Sequence, residues 1–253
     1  MPAIKYWDGA QWTDIKGIYY WNGSSWVQAK AGYYWDGSQW VPFWQIYEVI
    51  WHCDTSSKRV YELSVEDFSV VRYASSPTSD PNGIGGDANT IWHCEDSYDS
   101  IRELSVVDFS QIRIESSPDS IPSGIGGTIN VIWHCDENGK IYELSTTDFS
   151  VVRSVDSPAG INANPNGIGG DEDVIWFTDD YNNDIYELSV ADLSVVRSAD
   201  SPDTYPRGTG GDKDTIWHCQ DAGIELYELS TIDFSVVRSA DSPGVVPSGM
   251  GGK

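Results

Sequence analysis

The chain has 253 residues, of which 39 are acidic and 15 basic, for a formal net charge of −24. A surface this negative repels nucleic acid; it suits the solvation of a repetitive β-protein, a high-salt setting, or a surface that gathers divalent cations. No apolar stretch reaches membrane-spanning length and no charged-then-apolar leader opens the chain at MPAIKYWDGA, so neither a membrane span nor a standard secretory signal is expected.

Residues 1–45 carry a short repeat with a period of 14: Tyr6–Trp12 is YWDGAQW, Tyr20–Trp26 is YWNGSSW and Tyr34–Trp40 is YWDGSQW. Asp-Gly and Asn-Gly between aromatic runs are strong hairpin signals, so three short Trp-rich β-hairpins are expected, with Trp7 opposite Trp12, Trp21 opposite Trp26 and Trp35 opposite Trp40. A lone two-stranded hairpin is marginal, so these must stack on each other, on the rest of the chain or on another chain. The six Trp are therefore the candidate docking side chains. The W-[DN]-G-x-x-W module resembles short aromatic repeats in structural proteins of tailed viruses. That resemblance implies a virion or extracellular-surface protein, residues 1–45 contacting other virion proteins or assembling the chain into a homo-oligomer.

From residue 46 onward a longer repeat takes over. Ile50–Asp54, Ile91–Glu95, Ile132–Asp136, Ile175–Asp179 and Ile216–Gln220 read IWHCD, IWHCE, IWHCD, IWFTD and IWHCQ, and successive Trp are separated by 41, 41, 43 and 41 residues. A fixed period in the forties marks units that bury their apolar faces against their neighbours. Each unit parses into four strands: a Gly-rich run after a Pro-containing turn, then IWHC, then a run such as IYELS, then SVVR or a variant that ends in Ser-Pro. Four strands per unit, with Gly in the first, predict an all-β, five-bladed β-propeller over residues 46–253 whose crowded axis excludes side chains at Gly83, Gly85, Gly86 and their equivalents. The order P-x-G-[IMT]-G-G-D, I-W, I-Y-E-L resembles the NHL-type propeller repeat.

The ends of this region predict closure. The first unit starts at IWHCD without a Gly-rich strand and the chain finishes on PSGMGGK without an IWHCD, so Gly249–Lys253 is expected innermost in the blade formed by residues 46–76, removing free edges.

Cys53, Cys94, Cys135 and Cys219 fall at one place in separate blades, too far apart for disulfides, and are expected as free, buried thiols. Strand alternation separates each His from the adjacent Cys, and the fourth copy replaces the pair by Phe177 and Thr178, so packing is the expected role and no metal is assigned there. Glu62, Glu103, Glu143, Glu187 and Glu228 are expected to pair across strands with Arg72, Arg113, Arg153, Arg197 and Arg238. Asp67 and its four equivalents are expected to cap turns. Residues repeated five times are poor candidates for chemistry, and no catalytic residue is assigned.

Variation between copies concentrates in the loop after IWHC and in the crossing to the next blade, two loop sets that share one face. The candidate ligand-binding residues are Tyr98, Asp99, Tyr181, Asn182 and Tyr205. At the other end of the first strand, Asp87, Asp171 and Asp212 are weak Ca²⁺ candidates against the alternative of turn capping; Thr128 and Lys253 hold the two remaining places. No other cofactor is expected. The leading functional expectation is a non-enzymatic virion adhesion protein that binds a host surface glycan or protein. The alternatives are a soluble five-bladed lectin, a purely architectural capsid decoration protein, and a glycosidase-like enzyme with axial carboxylates.

Overall fold

The computed structural model describes residues 48–160 and 163–252 and, of the first 47 residues, Ser24, Ser25 and the backbone of six strand segments. The chain divides into two compact units, residues 1–48 and 49–253. In the first, β1 (Lys5–Trp7) pairs antiparallel with β2 (Trp12–Asp14), β3 (Tyr19–Trp21) with β4 (Trp26–Gln28) and β5 (Ala31–Trp35) with β6 (Trp40–Gln45). The intervening turns, and the side chains of the six expected docking Trp, lie outside the described residues.

The second unit is a five-bladed propeller of four-stranded antiparallel blades. Blade 1 contains β7 (Val49–Asp54), β8 (Arg59–Ser64) and β9 (Val70–Ser75); blade 2 is β10 (Pro81–Gly86), β11 (Ile91–Glu95), β12 (Ser100–Leu104) and β13 (Gln111–Ser116). Blade 3 is β14 (Pro122–Gly127), β15 (Ile132–Asp136), β16 (Lys140–Leu144) and β17 (Val151–Asp156); blade 4 is β18 (Pro165–Gly170), β19 (Ile175–Asp179), β20 (Asp184–Leu188) and β21 (Val195–Asp200). Blade 5 is β22 (Pro206–Gly211), β23 (Ile216–Gln220), β24 (Glu225–Leu229) and β25 (Val236–Asp241), after which β26 (Pro247–Gly251) returns to pair with β7 and completes blade 1 from the inside. The expected closure is therefore present, with Lys253 outside the described residues. One correction concerns edges: the outermost strand of every blade remains an edge at the rim.

The core sits between blades because both faces of the second strand are buried. Trp51 and Cys53 pack with Ile84, Ile91, Leu104 and Phe109 of blade 2, and the pattern repeats around the ring until Trp217 and Cys219 meet Ile50, Leu63, Phe68 and Met250 of blade 1. All four Cys are free and buried. The Phe of each D-F-S turn stands edge-on to the Trp of the preceding blade, as Phe109 does to Trp51 at 5.9 Å and 89°.

Glycine closes the axis. A Cβ on Gly85 would stand 2.8 Å from the Cα of Gly126, one on Gly126 2.7 Å from Gly169, one on Gly169 2.9 Å from Gly210, and one on Gly210 2.9 Å from Gly251. The first strands thus meet backbone to backbone, and the axis is filled by main chain. Gly86 serves differently from the sequence expectation: at φ 151° it makes the turn into β11.

The five Glu–Arg pairs form as expected, Glu62 lying opposite Arg72 in the register of β8 and β9. Each Arg also reaches across to the next blade. Arg113 donates Nη1–H to the Thr147 carbonyl at 2.6 Å and Nη2–H to that of Thr146, with its guanidinium 4.2 Å from the Phe149 ring centre. Arg238 does the same for Glu66, Val65 and Phe68 and so ties blade 5 to blade 1. Asp67, Asp108, Asp148, Asp192 and Asp233 each accept the N–H two residues on, as capping requires.

Candidate functional site

The loops after β7, β11, β15, β19 and β23 and the crossings between blades share one face, because they hydrogen-bond to each other. Ser117 N–H reaches the Asp99 carbonyl at 2.7 Å, Glu137 N–H the Ile121 carbonyl at 3.0 Å, and Asp221 N–H the Tyr205 carbonyl at 3.2 Å. Every crossing lies against loops of the blades on either side of it.

Two junctions are built alike. Between blades 2 and 3, Ile121 adopts φ 59° and gives its N–H to Asp99 Oδ1 at 2.8 Å. Between blades 4 and 5, Tyr205 adopts φ 59° and gives its N–H to Asn183 Oδ1 at 2.8 Å. A left-handed conformation at a bulky side chain is costly and persists only where its surroundings hold it. At two other crossings the corresponding N–H turns inward, Val246 to Asp54 Oδ2 at 2.6 Å and Asn164 to Asp179 Oδ2 at 2.8 Å.

The consequence at the second junction is a groove of about 400 Å³ lined by Asp180, Tyr181, Asn183, Thr204 and Tyr205. Tyr181 and Tyr205 are 58 % and 55 % exposed, so both rings present surface to it. On its axial side Asp180 Oδ2 accepts from Asn164 Nδ2 at 3.2 Å and Asn166 Nδ2 at 3.0 Å and lies 3.9 Å from Arg207 Nη1. Arg207 also reaches Asn166 Oδ1 at 3.1 Å and Asp221 Oδ2 at 3.5 Å. On the same loop face, burial, followed by the carboxylate of Asp96, raises the Glu137 carboxyl above its ordinary range; burial, followed by Asp80 and Asp99, does so for Asp96.

Of the five residues read from sequence, the structure therefore brings Tyr181 and Tyr205 together. Asn182 belongs to the same loop, but there its N–H caps on Asp179 Oδ1 at 3.2 Å, and the neighbouring Asn183 lines the groove. Tyr98, 77 % exposed, and Asp99 stand at the blade 2–3 junction, where Ile121 takes the place of Tyr205. Asp180, Asn183, Thr204 and Arg207 were missed; the signal available was that both crossings read S-P-D, then Ser or Thr, then a bulky residue before Pro.

The carboxylates considered for Ca²⁺ are engaged locally. Asp87 Oδ1 accepts from Asn89 and Thr90 N–H, Asp171 Oδ1 from Asp173 and Val174, and Asp212 Oδ1 from Asp214 and Thr215. Their carbonyls, with that of Thr128, accept the indole N–H of a Trp in the preceding blade. Among the described residues no group of three or more His, Cys, Asp or Glu is placed to hold a metal ion.

No protein-family model matches the chain and no curated protein matches it. Several solved structures share its fold. A nidogen/laminin complex matches with a TM-score of 0.54 at 15 % identity over 89 % of this chain and 90 % of that one. A glutaminyl cyclase from Myxococcus xanthus matches with a TM-score of 0.54 at 14 % identity over 64 % and 77 %, and a streptogramin B lyase with 0.50 at 18 % over 89 % and 82 %. Enzymes and a protein–protein complex thus stand side by side among these neighbours, and at such identities the likeness is one of fold. The class is the β-propeller.

Proposed function

We propose that the chain is a non-enzymatic adhesion protein of a virion surface, its propeller binding a host surface ligand through the loop face while residues 1–45 dock to other virion proteins or self-associate. The observation that carries the binding part is the groove in which Tyr181 and Tyr205, from different copies of the repeat, come together. Repeat-to-repeat variation gathers on that face.

The viral part rests on the resemblance of the Trp repeats. The lectin alternative has five equivalent pockets built on Trp or Tyr; its Trp form loses support because Trp51, Trp92, Trp133, Trp176 and Trp217 are buried between blades. A glycan array probed with the full chain, with and without Ca²⁺, beside the variant Tyr181→Ala/Tyr205→Ala tests the adhesion reading. Binding by the parent and loss in the variant is the expected outcome. Equal binding by both would remove the groove from the account, and no binding under either condition would favour an architectural role.

A further inference from the structure

The groove between blades 4 and 5 has a fixed polarity that narrows its ligand. Asn183 Oδ1 accepts the Tyr205 N–H at 2.8 Å, and because an N–H only donates, the amide orientation is fixed and Nδ2 is the donor of this groove-lining side chain. The contacts to Asn164, Asn166 and Arg207 all fall on Asp180 Oδ2, so Oδ1 is the remaining acceptor of this groove-lining carboxylate. Arg207 lies between the Asp180 and Asp221 carboxylates, and the two amides donate to Asp180, so the one acid that lines the groove is already engaged by protein donors. A chain carrying −24 charges repels an anionic ligand. Thr204 supplies a hydroxyl that both donates and accepts, and two tyrosine rings offer flat apolar faces. Apolar platforms flanked by one oriented donor and one oriented acceptor match adjacent hydroxyls on a ring with an apolar face.

We infer that this groove is a single site for an uncharged, hydroxyl-rich ring, a neutral pyranose. The inference rests on the reading of the loop face as the ligand-binding surface and adds to it the ligand class and the place. The blade 2–3 junction lacks the platform, since Ile121 stands where Tyr205 does and Ser97 where Tyr181 does.

That junction also supplies the test. Asp99 holds the Ile121 N–H as Asn183 holds that of Tyr205, so Asn183→Asp keeps the clamp and removes the donor. The isotope-labelled full chain is titrated with methyl pyranosides of glucose, galactose, mannose and N-acetylglucosamine, with glucuronic and N-acetylneuraminic acids, and with tetramethylammonium, and amide shifts are mapped. Expected are shifts at residues 180–183 and 204–205 with a neutral pyranoside, weakened about tenfold by Asn183→Asp and abolished by Tyr205→Ala at unchanged melting temperature. Preference for an acidic sugar or for tetramethylammonium at these residues overturns the ligand class and leaves the loop face in place. Shifts on other loops of that face overturn the groove alone, whereas shifts confined to the opposite face overturn both readings. No shift with any pyranoside at millimolar concentration overturns the inference.

Discussion

In four of the five blades a buried imidazole lies between a first-strand glycine carbonyl and the serine that precedes the crossing proline. His134 Nδ1 meets the Gly124 carbonyl at 2.7 Å and Nε2 meets Ser117 Oγ at 3.1 Å, with His52, His93 and His218 held likewise. A carbonyl only accepts, so Nδ1 carries a proton, and burial favours the neutral ring. Burial lowers all four groups to about 4. The unfolded chain takes up these protons near about 6.5, so between the two values it binds more protons than the folded chain, and stability falls as pH drops through that window. Burial raises Asp136 and Asp179, which act in the opposite sense. His134→Phe, which copies Phe177 of blade 4, should cost about 1–3 kcal/mol for the partners left unpaired and flatten the decline in melting temperature between pH 6.5 and pH 4. An unchanged slope would show that the histidines do not set the acid limit.

Blade 2 differs at another buried position. Arg102 stands where the other blades have Tyr and pairs with the fully buried Glu95, Nη1 to Oε1 at 2.7 Å. Arg102→Tyr alone leaves that carboxylate unpaired and should cost about 3–5 kcal/mol in urea denaturation. Adding Glu95→Asp recreates the Asp–Tyr pattern of blades 1, 3 and 4 and should recover most of the loss. Additive costs would deny the coupling.

At the scale of elements, the Glu–Arg pairs were legible because both partners are side chains in a strand hairpin of fixed register. The reach of each Arg into the next blade was not, because its acceptors are backbone carbonyls, which leave no mark in sequence. Arg153 joins Glu143 of its own blade to the Val190 and Ala191 carbonyls of blade 4. Arg153→Ala should therefore cost about 1–3 kcal/mol, and Arg153→Lys should recover only part of it, because an ammonium cannot copy the planar fork. Full recovery by Lys in thermal melts would reduce the bolt to simple charge pairing. The glycine-lined axis was readable as a crowding constraint, and Gly126→Ala should cost at least about 1–3 kcal/mol, since its Cβ would stand 2.7 Å from Gly169 Cα.

For the whole molecule, closure could be read because the two parts of one blade, β7–β9 and β26, sit at opposite ends of the repeat region. Deleting residues 247–253 strips β7 of its inner partner and exposes Ile84 and Cys53, so a marked fall in melting temperature is expected; an unchanged value would deny closure. The candidate site was only half legible. Variation pointed to the loop face and to Tyr181 and Tyr205, but their meeting depends on the backbone turn at Tyr205 and its bond to Asn183, a long-range pairing of which the sequence shows only the crossing half, S-P-D-T-Y-P. Five near-identical blades thus yield one junction at which two tyrosines line a groove. The number of neutral sugar molecules bound per chain, read by calorimetric titration of the full-length protein, measures that asymmetry directly. One per chain is the expected result; five equivalent sites per chain would contradict it.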